Sequence, residues 1–193
     1  MSSSQPRLLV EFGWPVAAAV GGFAAFGAGG LATIAGQPLS WAVITGVALG
    51  LPLALFCLGY STLLATGRVP AGVYTPVAIY WMIGFPLSML IHSIVTEWLF
   101  TGRPGLPAEP LWQFLLYHAL LSMGFGIGFL WANEQIGRRW WPRIREHNVY
   151  AYHVVEQYKD SATELQRQKE ASAALRRRRR EEKAARRSGA AAS

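Results

Sequence analysis

Two imidazoles stand out in a chain otherwise short of reactive groups. His92 lies six residues before Trp98, and His118 lies six residues after Trp112. At a helical rise of about 1.5 Å per residue, each sits about 9 Å beyond its tryptophan. Ser88, His92 and Thr96 recur every four residues and share one helix face, while Ser122 follows His118 by one turn. Imidazole is the commonest ligand for haem iron and for many metal ions, so a facing pair could hold one such centre. The same pair could instead stay neutral and tie two helices together through hydrogen bonds to hydroxyls and carbonyls. No Cys-x-x-Cys-His, third ligand or glycine-rich phosphate loop accompanies them. The expectation is therefore no cofactor, with haem b between His92 and His118 as the alternative.

Little else in the sequence suits catalysis. Between Trp14 and Gln135 only Arg68, Glu97, Arg103, Glu109 and Glu134 are charged, and no two carboxylates fall inside an apolar run. Neither G-x-S-x-G nor H-E-x-x-H occurs. The single Cys57 rules out an intramolecular disulfide.

The elements that must position the histidines are long apolar runs. Residues 14–36, 41–66, 74–100 and 111–132 are each long enough to cross a bilayer. The first is too long for a signal-peptide core, so it is read as a retained span. Tryptophans mark the run ends, at Trp14, Trp41, Trp98, Trp112 and Trp131, as expected of rings that settle among headgroups. Pro52 and Pro86 predict bends within the second and third runs. In the first, Ala17, Gly21, Ala25, Gly29 and Thr33 recur every four residues. That stripe lets backbones approach closely, either against the chain's own helices or in a homo-oligomer seam through Gly21, Ala25 and Gly29.

Charge orients the segments. Arg7, Arg68, Arg138, Arg139, Arg143 and Arg145 fall on one side of a four-span arrangement, and Arg103 alone on the other. The positive-inside rule then places both termini in the cytoplasm. Fifteen arginines against three lysines fit a GC-rich bacterial genome, and with it the inner membrane. The organisation expected is all-α: a lead over residues 1–13, a four-span transmembrane domain over 14–135, and a basic cytoplasmic helical tail over 136–193.

The tail carries the remaining candidate sites. Residues 138–193 hold fifteen basic and seven acidic side chains, a net of +8 against +7 for the whole chain. Arg138, Arg139, Trp140, Trp141, Arg143 and Arg145 form a basic aromatic cluster expected along anionic headgroups, with Pro142 ending or bending the fourth helix. From Arg143 to about Arg187 neither proline nor glycine interrupts a helix-forming composition. A second cluster, Arg176, Arg177, Arg178, Arg179 and Arg180, exceeds what topology requires, and its i,i+4 pairs with Glu181 and Glu182 support the helix. Such a surface attracts anionic lipid or an acidic protein partner. The interspersed acids argue against nucleic acid. The function expected is a non-enzymatic assembly, scaffold or accessory subunit. A haem- or metal-binding redox subunit is the alternative, and a small transporter or channel the second.

Overall fold

The computed structural model describes the backbone of residues 5–190 and the side chains of residues 5–176. Five helices follow one another: α1 Gln5–Ile34, α2 Leu39–Ala65, α3 Tyr74–Thr101, α4 Leu111–Ile144 and α5 Val149–Ala190. The described residues contain no strand. Helices α1 to α4 are each long and apolar enough to cross a membrane. Two compact units can be distinguished, Met1–Val154 and Val155–Ser193.

Within the first unit the glycines set how closely helices approach and where they stop. Gly36 and Gly67 close α1 and α2 in the left-handed region, with φ of 81° and 70°. Around Gly36 the amides of Gly36 and Gln37 donate to the carbonyls of Thr33 and Ala32, and around Gly67 those of Gly67 and Arg68 donate to Leu64 and Leu63. Both are Schellman closures, which satisfy the last carbonyls of each helix. The stripe of α1 lies against α2 within the chain. A Cβ on Gly29 would stand 2.9 Å from the Ala42 carbonyl oxygen, and one on Gly21 2.7 Å from both the Ala54 Cβ and the Gly50 carbonyl oxygen. Gly21, Ala25 and Gly29 are thus occupied by α2, the intramolecular one of the two packings anticipated.

All four helices contribute to one core: Val16 and Ala17 of α1, Leu53, Cys57 and Tyr60 of α2, Val77 and Trp81 of α3, and Phe129 of α4. Trp81 packs edge-on against Phe125 and Phe129 at 4.7 and 4.9 Å, and Tyr60 meets Phe129 at 5.2 Å. The first of these helices starts, and the last ends, near Arg7, Arg68, Arg138 and Arg139, so this core lies toward the basic end of the bundle. Outside it, large apolar side chains face outward, among them Phe23, Phe26 and Ile34 at 81%, 82% and 84% exposure. An apolar exterior of that kind suits hydrocarbon and is poorly matched to water.

Two boundaries differ from the sequence expectation. Helix α1 begins at Gln5, about two turns ahead of the apolar run, and α4 continues through Pro142 to Ile144. The continuous helix anticipated from Arg143 is instead interrupted by a turn over residues 145–147. Asn148 makes the break: its side-chain Oδ1 accepts from the amides of Tyr150 and Ala151, both at 3.2 Å, and so caps α5.

Candidate functional site

His118 is 8% exposed, and its Nδ1 lies 2.8 Å from the Phe114 carbonyl oxygen. That carbonyl can only accept, so Nδ1 is the donor. Phe114, Tyr117 and Phe85 surround the ring at centroid distances of 4.2, 5.2 and 6.3 Å. On α3, the Nδ1 of His92 is buried with no hydrogen-bond partner. The Thr96 hydroxyl on its face donates to the His92 backbone carbonyl at 2.7 Å, and the Ser88 hydroxyl to Gly84 at 2.8 Å. Both hydroxyls serve their own helix and neither serves an imidazole.

Equal depth for the two histidines was the expectation from the tryptophans. The ring contacts set a different register. Phe85 touches both His118 and Phe125, so antiparallel α4 brings His118 level with residues just past Phe85 on α3. His118 therefore stands closer to the basic end than His92. No group of three or more His, Cys, Asp or Glu side chains that could hold a metal occurs among the described residues.

The basic aromatic cluster is split by the fold. Arg138, Arg139, Arg143 and Arg145 are exposed, and Arg138 pairs with Glu134 at 3.2 Å. Trp141 does not lie along a surface. It is 2% exposed, stacked on Phe12 at 5.0 Å and 3°, and its Nε1–H donates to the Phe12 carbonyl at 3.3 Å. Trp140 meets Trp14 edge-on at 5.8 Å and donates to the Glu11 carbonyl at 2.9 Å. The reason lies in α1. Pro15 has no N–H to give to the carbonyl four residues back, which belongs to Glu11. The Trp140 indole supplies the missing donor from 129 residues away.

Glu11, Asn148 and His147 complete this clasp. Asn148 is fully buried and donates through Nδ2 to the Leu8 carbonyl at 2.9 Å and to Glu11 Oε2 at 3.0 Å, while His147 Nε2 lies 2.8 Å from Glu11 Oε1. Glu11 precedes the apolar run. The hydrogen bond from His147 holds its carboxyl below the ordinary carboxylate value, against the opposing effect of burial, and Asn148 adds to the lowering. Glu11, His147 and Asn148 are not among the site residues expected from sequence. Two signals were present: a capping residue type inside an otherwise unbroken helical stretch, and a proline one turn after a carboxylate.

In the second unit, every residue from Lys159 to Arg176 is exposed. Arg176 belongs to that exposed helix, whereas the side chains of Arg177, Arg178, Arg179 and Arg180, and their pairing with Glu181 and Glu182, lie outside the described residues. No family model, curated protein or solved structure matches this chain.

Proposed function

We propose that the chain is a four-span membrane protein, with both ends on the cytoplasmic face of a bacterial inner membrane, that serves as a non-enzymatic scaffold or accessory subunit by presenting α5 to an anionic partner surface. One observation carries the reading: an exposed helix that runs from Lys159 to Arg176, the first of five consecutive arginines. Residues 176–187 carry eight arginines and lysines against two glutamates. Each cation held near an anionic surface contributes about 1 kcal/mol, decaying over a Debye length of about 8 Å at physiological salt. Several kcal/mol are therefore available without any apolar contact.

The test is amide hydrogen exchange on the full chain in nanodiscs. Exchange over residues 160–176 should slow with phosphatidylglycerol relative to phosphatidylcholine, or on adding an acidic protein partner. The slowing should vanish at high salt and when Arg176 to Arg180 are changed to Gln. Protection that ignores both changes overturns the electrostatic account. Reporter fusions after Gly36 and Gly105 should read extracytoplasmic, and those after Gly67 and at the C-terminus cytoplasmic.

A second reading is favoured by one feature, the unpartnered buried Nδ1 of His92 on the helix that packs against the one carrying His118. In it, the pair holds a haem or metal ion. A Soret band in the purified protein supports it, and a colourless, metal-free preparation overturns it.

A further inference from the structure

Helices α1 and α4 meet at the Trp14–Trp140 edge contact and part beyond it, leaving a groove of about 390 Å³. Val20, Phe23 and Ala24 line it from α1, and Phe125, Gly128 and Ala132 from α4. We propose that this groove and the arginines in line with it form a binding site for one anionic phospholipid, with an acyl chain between α1 and α4 and the phosphate on Arg139 and Arg143. The inference rests on the membrane reading above and adds a defined ligand to it.

Three observations support that occupant. The first is register. Arg139 follows Ala132 by seven residues and Gly128 by eleven, so at 100° per residue it lies within about 20° of both on the helix face. Arg143 continues the same line one turn further. The second is charge. Arg139 and Arg143 are exposed and form no ion pair with the described residues, whereas neighbouring Arg138 is held by Glu134. Basic positions at the cytoplasmic ends of grooves between spans are where anionic headgroups bind. The third is length. Phe125 at the deep end and Arg139 at the rim are fourteen residues apart, about 21 Å along a helix. One leaflet, hydrocarbon and headgroup together, is about 20–22 Å thick. The groove and its cations thus match a single lipid from phosphate to chain end.

Native mass spectrometry of the full chain, delipidated and then offered phosphatidylglycerol or phosphatidylcholine with identical chains, tests the site. Wild type should retain one phosphatidylglycerol with a roughly 30-fold preference, the equivalent of two arginines at about 1 kcal/mol each. Joint Arg139→Gln and Arg143→Gln changes should reduce the preference to about twofold, since both side chains are exposed and the apolar groove remains. Gly128→Leu should abolish retention of either lipid. Nothing lies within 4 Å of a Cβ at Gly128, so the substitution fills the groove without a clash. Changing Arg176 to Arg180 to Gln should leave retention untouched. Equal retention of both lipids, retention that survives Gly128→Leu, a preference lost with the tail arginines, or a lipid-free dimer would each overturn the proposal. A chain that fails to float with vesicles on a density gradient refutes the membrane reading itself, independently of these outcomes.

Discussion

The two ends of the helical bundle are built on different terms. At the basic end, α1 is tied to α4 and to the start of α5 by two indole donors, a stacked Phe12–Trp141 pair and the Asn148 side chain, which spends both its donor and its acceptor. At the opposite end, α2 and α3 meet through the stacked rings of Trp41 and Phe100, and Gln37 Oε1, Thr45 Oγ1 and His92 Nδ1 are buried without a partner; nearer the basic end Trp81 Nε1 and Asn133 Oδ1 are unpartnered too. The buried apolar core also lies toward the basic end, so the polar ties there add to apolar packing. In hydrocarbon, a lipid-facing leucine and a core leucine differ little in transfer energy, and association rests on close packing and on satisfied polar groups. What sets the basic end apart is its set of polar bonds between elements, two of which hold the chain's beginning to its fourth helix.

The contrast can be broken first at Asn148. Asn148→Ala removes a helix cap and strands the Leu8 carbonyl and a Glu11 oxygen, and should cost about 3 kcal/mol when the capping and buried-polar contributions are taken together. Thermal unfolding in detergent should show it, together with new proteolytic cleavage near residues 145–148. An unchanged midpoint would mean that the clasp does not stabilise the bundle.

Next comes Gly137, whose missing Cβ leaves the space filled by the Trp141 ring of the same helix. Gly137→Ala should cost about 2 kcal/mol, because the ring is fixed by Phe12 and can yield only by breaking that stack. Gly124, with nothing within 4 Å of a Cβ, is the control, and its change to Ala should be neutral or slightly stabilising. Equal midpoints for the two variants would remove the case for a rigid basic end.

At the opposite end, His118→Ala should cost about 1 kcal/mol through loss of the bond to Phe114. His92→Ala should cost less, since its Nδ1 has no hydrogen bond to lose. The reverse order in thermal unfolding would point to an additional partner for His92, the outcome that the haem or metal reading requires.

The smallest effect is expected from pH. Glu11 has a carboxyl pKa lowered in the fold, so its contribution is fully present above the ordinary value of 4.5 and is lost as pH falls through the lowered one. The unfolding midpoint of wild type should therefore drop on acidification below about pH 4.5 more steeply than that of Glu11→Gln. Parallel acid limbs would show that the Glu11 contacts carry no charge-dependent stability.

How much of this was readable beforehand follows the same division. The four apolar helices could be read because each is bounded by strong local signals: Gly36 and Gly67 at closures, Pro38 and Pro110 before starts, and tryptophans near the ends. The extensions of α1 back to Gln5 and of α4 to Ile144 could not, since polar and basic residues fit a helix turn and a surface loop equally well. Trp140 and Trp141 beside arginines satisfy the headgroup rule as fully as they satisfy an interior role, and only the structure shows Trp141 enclosed. A carbonyl vacated by Pro15 is visible in sequence, but nothing local says that residue 140 will fill it. The histidines were legible as a pair of candidates, while their offset along the bundle depends on how aromatic rings from two helices interlock.

The donor that Pro15 withholds and Trp140 returns also has a bearing on how the molecule is made. A ribosome releases α1 long before residue 140 exists, and for that interval the Glu11 carbonyl lacks the indole donor that it receives in the finished fold. Its partner arrives only after three further apolar helices have been synthesised. A nascent chain halted at residue 135 would hold nearly all the apolar length of the finished bundle but not Trp140, Trp141, His147 or Asn148, which bond to Leu8, Glu11 and Phe12. Completion is thus registered at the N-terminus, and a quality-control protease that probes residues 5–13 would distinguish finished chains from interrupted ones.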